Sequence, residues 1–298
     1  MGTILILGRE EDTCCRLVQE QLTGAGCHSW LLAEHQLFPH LRLTWKLSIT
    51  ERQGVLAYND ITVPFADISG VLSRFHGLPF PAEDFYTPDG QYISAEWNAL
   101  LMAWLHWLPC RVVNRLRPEL WYKPYLNVPD LVSLVPTLRF KLPRALVTTA
   151  SADARAFCQS LSGPVRYSPL TQPARYRIHT EDERERLATL EGSLPFYLTE
   201  WIDGKALDAF VMGSAVVFVE PNGHLAQESA SPVKAHCVEI GAALGLEFYR
   251  LSLIKTVDGD WYCLSLDRVP QVYGCTPDTQ REIARALAHC LSANVEYP

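Results

Sequence analysis

Tyr197-Leu198-Thr199-Glu200-Trp201-Ile202-Asp203-Gly204-Lys205-Ala206-Leu207-Asp208-Ala209-Phe210-Val211-Met212 is the stretch whose reading decides the fold. Phe196 to Ile202 predicts one strong strand, and Phe210 to Val219 predicts another that turns at Gly213-Ser214. Downstream, Ala235 to Leu244 has helical spacing and stops at Gly245. Phe248 to Thr256 and Trp261 to Leu266 flank Asp258-Gly259 and predict a hairpin, and Gln280 to Leu291 predicts a closing helix. Strands grouped with strands and helices set apart mark this half of the chain as α+β.

Upstream, Glu181 to Glu191 is a charged helix and Gly163 to Leu170 a strand running into a loop. Ser151 is expected to cap a helix through Leu161, and 141–148 to form a strand entered through Pro143. Asn127 and Leu131 to Val135 are expected in a short helix after Lys123. The first 115 residues differ. Thr3 to Leu7, the helical set Leu17, Val18 and Leu22, and Trp30 to Leu32 spell strand, helix, strand, which opens an α/β unit. Residues 44–68 alternate around Asn59-Asp60, as an inserted hairpin would. Val71 to Phe75 predicts a buried strand, His76 to Gly90 a loop, Trp97 to Leu108 a helix stopped by Pro109, and Arg111 to Asn114 a short strand. The expected class is α/β, with α+β C-terminal parts, divided at 1–115, 116–195 and 196–298.

The chain has 298 residues, 26 Lys and Arg against 33 Asp and Glu, and a net charge of −7. A hydrophobic content of 48% supports a sizeable core and excludes wholesale disorder. The acidic balance argues against nucleic acid as the main partner. No apolar run reaches the about 20 residues that span a bilayer. The opening strand lacks the basic start of a signal peptide. The nine cysteines are an odd, scattered set without zinc spacing, so reduced thiols and a cytoplasmic location are expected.

From 111 onward the order of signals resembles the ATP-grasp superfamily, closest to its branch of ribosomal-S6-modification and microviridin-type peptide ligases. The resemblance rests on VVN at 112–114, Lys123, KLPRALVTT at 141–149, GPVRYSPL at 163–170, YLTEWIDGKALDAF at 197–210 and GLEFYRLSLIKTVDGDWYCLSLDRVP at 245–270. Each motif alone is weak; their order covers most of the chain. It implies an ATP-grasp architecture behind an N-terminal pre-ATP-grasp domain, and enzymes that activate a carboxylate as an acyl phosphate and pass it to an amine.

The resemblance also assigns positions. Lys123 matches the first phosphate-binding lysine. The second falls at Ser168, with Arg166 two residues earlier on the same strand face. Glu200, Trp201 and Ile202 match the adenine hinge. The family's Asp-x-Arg reads Asp208-Ala209-Phe210, without its arginine. Its metal ligands, an acidic residue and then Glu-x-Asn, read Ser252 and Ser265-Leu266-Asp267. Phosphoryl transfer depends on positioning and charge stabilisation, and each such loss costs about 2–4 kcal/mol of transition-state stabilisation. Asp258 and Asp260 are expected to be solvated turn residues. Arg74 and His76, at a strand end, are further cleft candidates. Cys14-Cys15 reads as a buried helix face. The aromatics Trp97, Trp104, Trp107, Trp121, Tyr122 and Tyr125 are expected to be divided between core and an interface.

Three functions fit these residues. The first is a catalytically degenerate ATP-grasp protein that binds a protein or peptide partner, or a copy of itself, with no resident cofactor, metal or membrane contact. The second is an ATP-dependent carboxylate–amine ligase using ATP and magnesium. The third is a small-molecule binder that reuses the cleft.

Overall fold

The computed structural model describes residues 2–47, 52–74, 87–115, 125–134, 138–170, 176–189, 195–227 and 231–293. Lys123, His76, Trp121 and Tyr122 lie outside the described residues. The chain opens with β1 (Thr3–Gly8), helix Thr13–Gly24 and β2 (His28–Ala33). A short helix, Glu34–His40, leads to β3 (Leu41–Leu47), β4 (Arg52–Tyr58) and β5 (Ile61–Pro64). These three form an antiparallel sheet, and Asn59 takes a left-handed φ of 51° at the β4–β5 turn. β6 (Ile68–Ser73) and β7 (Arg111–Val113) then complete a parallel sheet in the order β2-β1-β6-β7.

The helix between β6 and β7 is Pro88–Trp107, so it begins inside the stretch expected to be loop. The cause is local. Thr87 Oγ1 accepts from Gly90 N–H at 3.0 Å, and Pro88 occupies the first helical position, where its missing N–H costs nothing. Trp104 is buried and its ring lies 6.2 Å from Phe65, while Trp107 meets Phe65 at 6.4 Å. Those two tryptophans therefore belong to the core beneath the inserted sheet.

The rest of the chain builds two antiparallel sheets. β8 (Tyr125–Asn127), β9 (Ala145–Thr148), β10 (Val165–Ser168), β11 (Tyr176–Ile178) and β12 (Phe196–Glu200) come first. β13 (Lys205–Met212), β14 (Ala215–Val219), β15 (Phe248–Lys255) and β16 (Trp261–Asp267) follow. The four-stranded order is β11-β10-β12-β9, and the five-stranded order is β14-β13-β15-β16-β8. Two local expectations change. Asn127 ends a strand that pairs with Ser265, because the partner strand supplies ladder bonds that three residues cannot make alone; the helix is Val128–Leu134. Ser151 is the first helical residue and not the cap; Thr148 Oγ1 instead accepts from Ala150 N–H at 3.0 Å.

The halves of the chain meet along the closing helix, Pro277–Ser292. Its buried residues Thr279, Ile283, Leu287 and Leu291 recur every four positions, and the helix packs between helix Thr13–Gly24 and the five-stranded sheet. Asn114, at the end of β7, locks this junction. Its φ is +56°, a region asparagine tolerates, and its side chain is buried. Oδ1 accepts from the N–H groups of Glu247 (3.1 Å) and Phe248 (2.9 Å). Nδ2 donates to the carbonyls of Phe248 and of Arg268, the latter at 2.7 Å. A second tie is Arg74, 1% exposed, whose Nε donates to Asp12 at 2.7 Å while Nη2 donates to the Pro270 carbonyl at 3.1 Å. Arg74 therefore joins the parallel sheet to the loop after β16, and does not face a cleft as expected from its strand-end position.

All nine cysteines are free thiols, and only Cys27 and Cys275 are not buried. Burial pushes Cys14 up to about 11 and Cys237 up to about 12, which keeps them protonated and inert. In the native protein, a thiol reagent is expected to label at most Cys27 and Cys275 quickly; rapid labelling of five or more would contradict the packing. Asn114→Ala would strand four backbone groups at the junction. Each unsatisfied buried group costs about 1–3 kcal/mol, so urea unfolding should show a loss of several kcal/mol. A loss near zero would mean the junction does not depend on it.

Candidate functional site

The site is built on one face of the five-stranded sheet. Along β13 and β15, Ala209, Val211, Leu251 and Leu253 point to one side and pack with Cys237 and Ile240 of helix Ser231–Leu244. The alternate residues Asp208, Phe210, Arg250 and Ser252 therefore point to the other. β16 would place its polar residues on the wrong face, because Cys263 packs on the helix side and simple alternation would put Ser265 there too. A bulge prevents this. Ser252 pairs with Ser265 but Leu253 pairs with Cys263, so Leu264 is the extra residue. Ser265 and Asp267 are thereby turned to the same face as Arg250.

Arg250 is the centre of that face. Its Nη1 lies 3.5 Å from Asp208 Oδ2 and its Nη2 lies 3.1 Å from Asp267 Oδ2. The guanidinium also sits 5.9 Å from the centroid of Phe210, its direct cross-strand neighbour. Ser252 Oγ donates to Asp208 Oδ1 at 3.0 Å. Asp267 is buried; desolvation holds its carboxyl above the usual carboxylate range, although Arg250 pulls it back down. Asp267 Oδ1 also accepts from Val269 N–H at 3.0 Å. Arg250 carries the signal that motif reading passed over. It lies two residues before Ser252, and no family motif marks that position.

The four-stranded sheet contributes a second cationic group. Val165, Leu198 and Phe196 pack with helix Ser151–Ser160, so Arg166, Ser168, Thr199 and Tyr197 face away from it. Arg166 and Ser168 are both buried. Arg166 pairs across strands with Arg177, and their guanidinium carbons lie 5.3 and 4.8 Å from the Trp201 ring. Trp201 Nε1 donates to Asp203 at 2.9 Å, and the Trp201 N–H donates to the Pro164 carbonyl at 3.1 Å. The Glu200 carboxylate is held by Arg144, accepting from its backbone N–H at 3.0 Å and from Nε at 2.9 Å. Ile202 follows, half-buried.

The two sheets join where Asn127 Nδ2 donates to the Leu170 carbonyl at 2.9 Å and Val128 N–H donates to the Tyr197 hydroxyl at 3.2 Å. The fold thus brings Asp208, Arg250, Ser252, Ser265 and Asp267 together on one sheet, and Arg166, Ser168, Glu200 and Trp201 on the other. Asp260 is partly exposed beside the β15–β16 turn, as expected, and pairs there with the exposed Lys141.

Magnesium needs hard oxygen ligands, usually one or two carboxylates with several waters, at about 2.0–2.1 Å. These residues do not fit it. Both carboxylates are bonded to one guanidinium, and the other two positions are hydroxyls, one of them donating to Asp208. Among the described residues no group of three or more His, Cys, Asp or Glu side chains is placed to hold a metal ion. No helix of the described residues is long and apolar enough to cross a membrane.

No family model matches the sequence, and no curated protein sequence does either. Solved structures do match along the whole chain. A RiPP-associated ATP-grasp ligase of Chryseobacterium gregarium, in complex with ADP and a leader and core peptide, superimposes with a TM-score of 0.77 at 15% identity, over 98% of this chain and 96% of that one. The macrocyclase MdnC of Microcystis aeruginosa MRC, bound with precursor peptide MdnA, gives 0.76 at 14% identity, over 97% and 99%. The ATP-grasp ligase PsnB, complexed with a phosphomimetic variant of a minimal precursor, Mg and ADP, gives 0.76 at 19% identity, over 98% of each chain. The chain has the ATP-grasp fold, in the form seen in these peptide ligases.

Tyr197 holds the join between the sheets, and burial pushes its hydroxyl up to about 12. Tyr197→Phe would leave the Val128 N–H without its acceptor. Urea unfolding should show a loss of about 1–2 kcal/mol; an unchanged midpoint would mean that this bond does not secure the join.

Proposed function

We propose that this protein uses an ATP-grasp fold to bind a peptide or protein partner and does not ligate carboxylates with magnesium and ATP. One observation carries the proposal: Asp267, the one carboxylate left at the metal positions that the resemblance assigns, is paired with Arg250, which also engages Asp208 of the Asp-x-Arg position. The serines at 168, 252 and 265 remove further charge from the phosphate and metal positions that the resemblance assigns. An acyl-phosphate mechanism relies on cations at the transferred phosphoryl group and on a metal bridging its oxygens. A peptide makes neither demand. Peptide binding is supported by the matching ligases, which are described with leader, core or precursor peptides. The division into 1–115, 116–195 and 196–298 belongs to the same proposal, with β8 of the middle segment completing the C-terminal sheet.

The second reading is an ATP-dependent carboxylate–amine ligase. What favours it is whole-length similarity to ligases described with ADP, and in PsnB with magnesium as well. Calorimetry with magnesium-ATP, together with an ADP-release assay, separates the two. No tight binding and no ADP release are expected. A magnesium-dependent dissociation constant in the low micromolar range would overturn the proposal and establish the ligase. Light scattering of the same sample reads self-association separately.

A further inference from the structure

We infer that Arg250 is the resident cation of this site, a tethered guanidinium that takes the place of a divalent ion and determines that the site excludes one. The inference rests on the reading above that the metal positions are degenerate, and adds which residue enforces the exclusion.

Three observations converge on Arg250. First, it engages two carboxylates from different strands, Asp208 on β13 and Asp267 on β16, with separate nitrogens. From the strand between them, β15, it bridges two acidic groups, as a bound cation could. Second, it sits directly opposite Phe210 in the ladder. The resemblance places an arginine at 210, so the positive charge lost from β13 reappears one strand away on β15. Third, the surroundings are adapted to a guanidinium. The Phe210 ring faces the cation, and the Ser252 hydroxyl satisfies the Asp208 oxygen that Arg250 does not take. A carboxylate at 252 would put a third negative charge beside a single guanidinium; a serine does not.

The charges sum accordingly. With Arg250 in place, the group Asp208, Asp267, Ser252 and Ser265 carries one net negative charge shared by two carboxylates. Without it, the same four residues present two carboxylates and two hydroxyls, an all-oxygen donor set of the kind that hard divalent ions prefer. Arg250 is thus the specificity-determining residue of the site: it fixes the choice between a built-in cation and a dissolved one. Any ligand that binds here meets a guanidinium and not a metal, so its binding should be insensitive to chelators.

The test uses manganese as the probe, read by the loss of the free-ion signal in electron paramagnetic resonance. The full-length wild type should leave that signal unchanged at millimolar manganese. Arg250→Ala should bind the ion at least about tenfold more tightly, as expected when two carboxylates are released to a hard cation. Arg250→Ala combined with Asp267→Asn should lose the gain, and Arg250→Lys, which keeps a cation, should not acquire it. Because removing the arginine leaves Asp267 buried without its partner, Arg250→Gln serves as the second variant should the alanine form not fold. In either variant manganese should raise the melting temperature, and in wild type it should not. Equal manganese binding by wild type and variant would overturn the inference, as would binding that survives Asp267→Asn. If wild type binds magnesium-ATP tightly, the proposed function fails. If it does not, and yet neither variant gains manganese, only the assignment of Arg250 fails.

Discussion

Everything that gives this molecule a site depends on how a parallel sheet is tied to an antiparallel one. Asn114 makes that tie through one buried amide. It leaves β7 in a left-handed conformation and satisfies backbone groups of residues 247, 248 and 268. A buried amide that meets donors and acceptors on both its ends is rigid, because any shift breaks several bonds together. The buried Arg74–Asp12 pair adds a second constraint on the loop after β16. Between them, these contacts hold both ends of the β15–β16 hairpin region that carries Arg250, Ser252, Ser265 and Asp267.

The bulge at Leu264 then decides what the hairpin presents. Strand alternation alone would put a carboxylate and a serine against the apolar helix Ser231–Leu244, an arrangement that burial of unpaired polar groups forbids. One extra residue reverses the parity of β16 and delivers Asp267 to Arg250. The same face continues into Phe210, Met212 and Phe248, which pack beneath the closing helix. The site is therefore the polar end of a face whose other end is core, and its geometry is inherited from that packing.

The ATP-grasp fold survives here with a different distribution of charge. Where the resemblance assigns lysine, arginine and two acidic ligands, the chain has Ser168, Phe210, Ser252 and Ser265. Cations stand nearby instead: Arg166, beside Arg177 and over Trp201, and Arg250, between two aspartates. Apolar positions in the same strands keep their pattern. Packing constrains the face turned to helix Ser231–Leu244, whereas Asp208, Arg250 and Ser252 on the opposite face lie outside that cluster.

Much of this was legible in the sequence. The strand–helix–strand opening, the inserted hairpin at Asn59-Asp60, the hairpin at Asp258-Gly259 and the closing helix all follow from local periodicity and turn chemistry, which are properties of short segments. The serines at 252 and 265, where the resemblance implies acidic metal ligands, are also read directly from the sequence. Local signals also existed for the start of helix Pro88–Trp107, in Thr87-Pro88, but proline and glycine nearby read as loop. What only the tertiary structure decided is long-range. Asn127 became a strand because β16 lies beside it, and Arg74 became a structural tie because Asp12 and Pro270 enclose it. Arg250 became the centre of the site because a bulge fourteen residues later turned Asp267 toward it. Periodicity reports which side of its own strand a residue faces; it carries no information about which charge another strand will bring to that side.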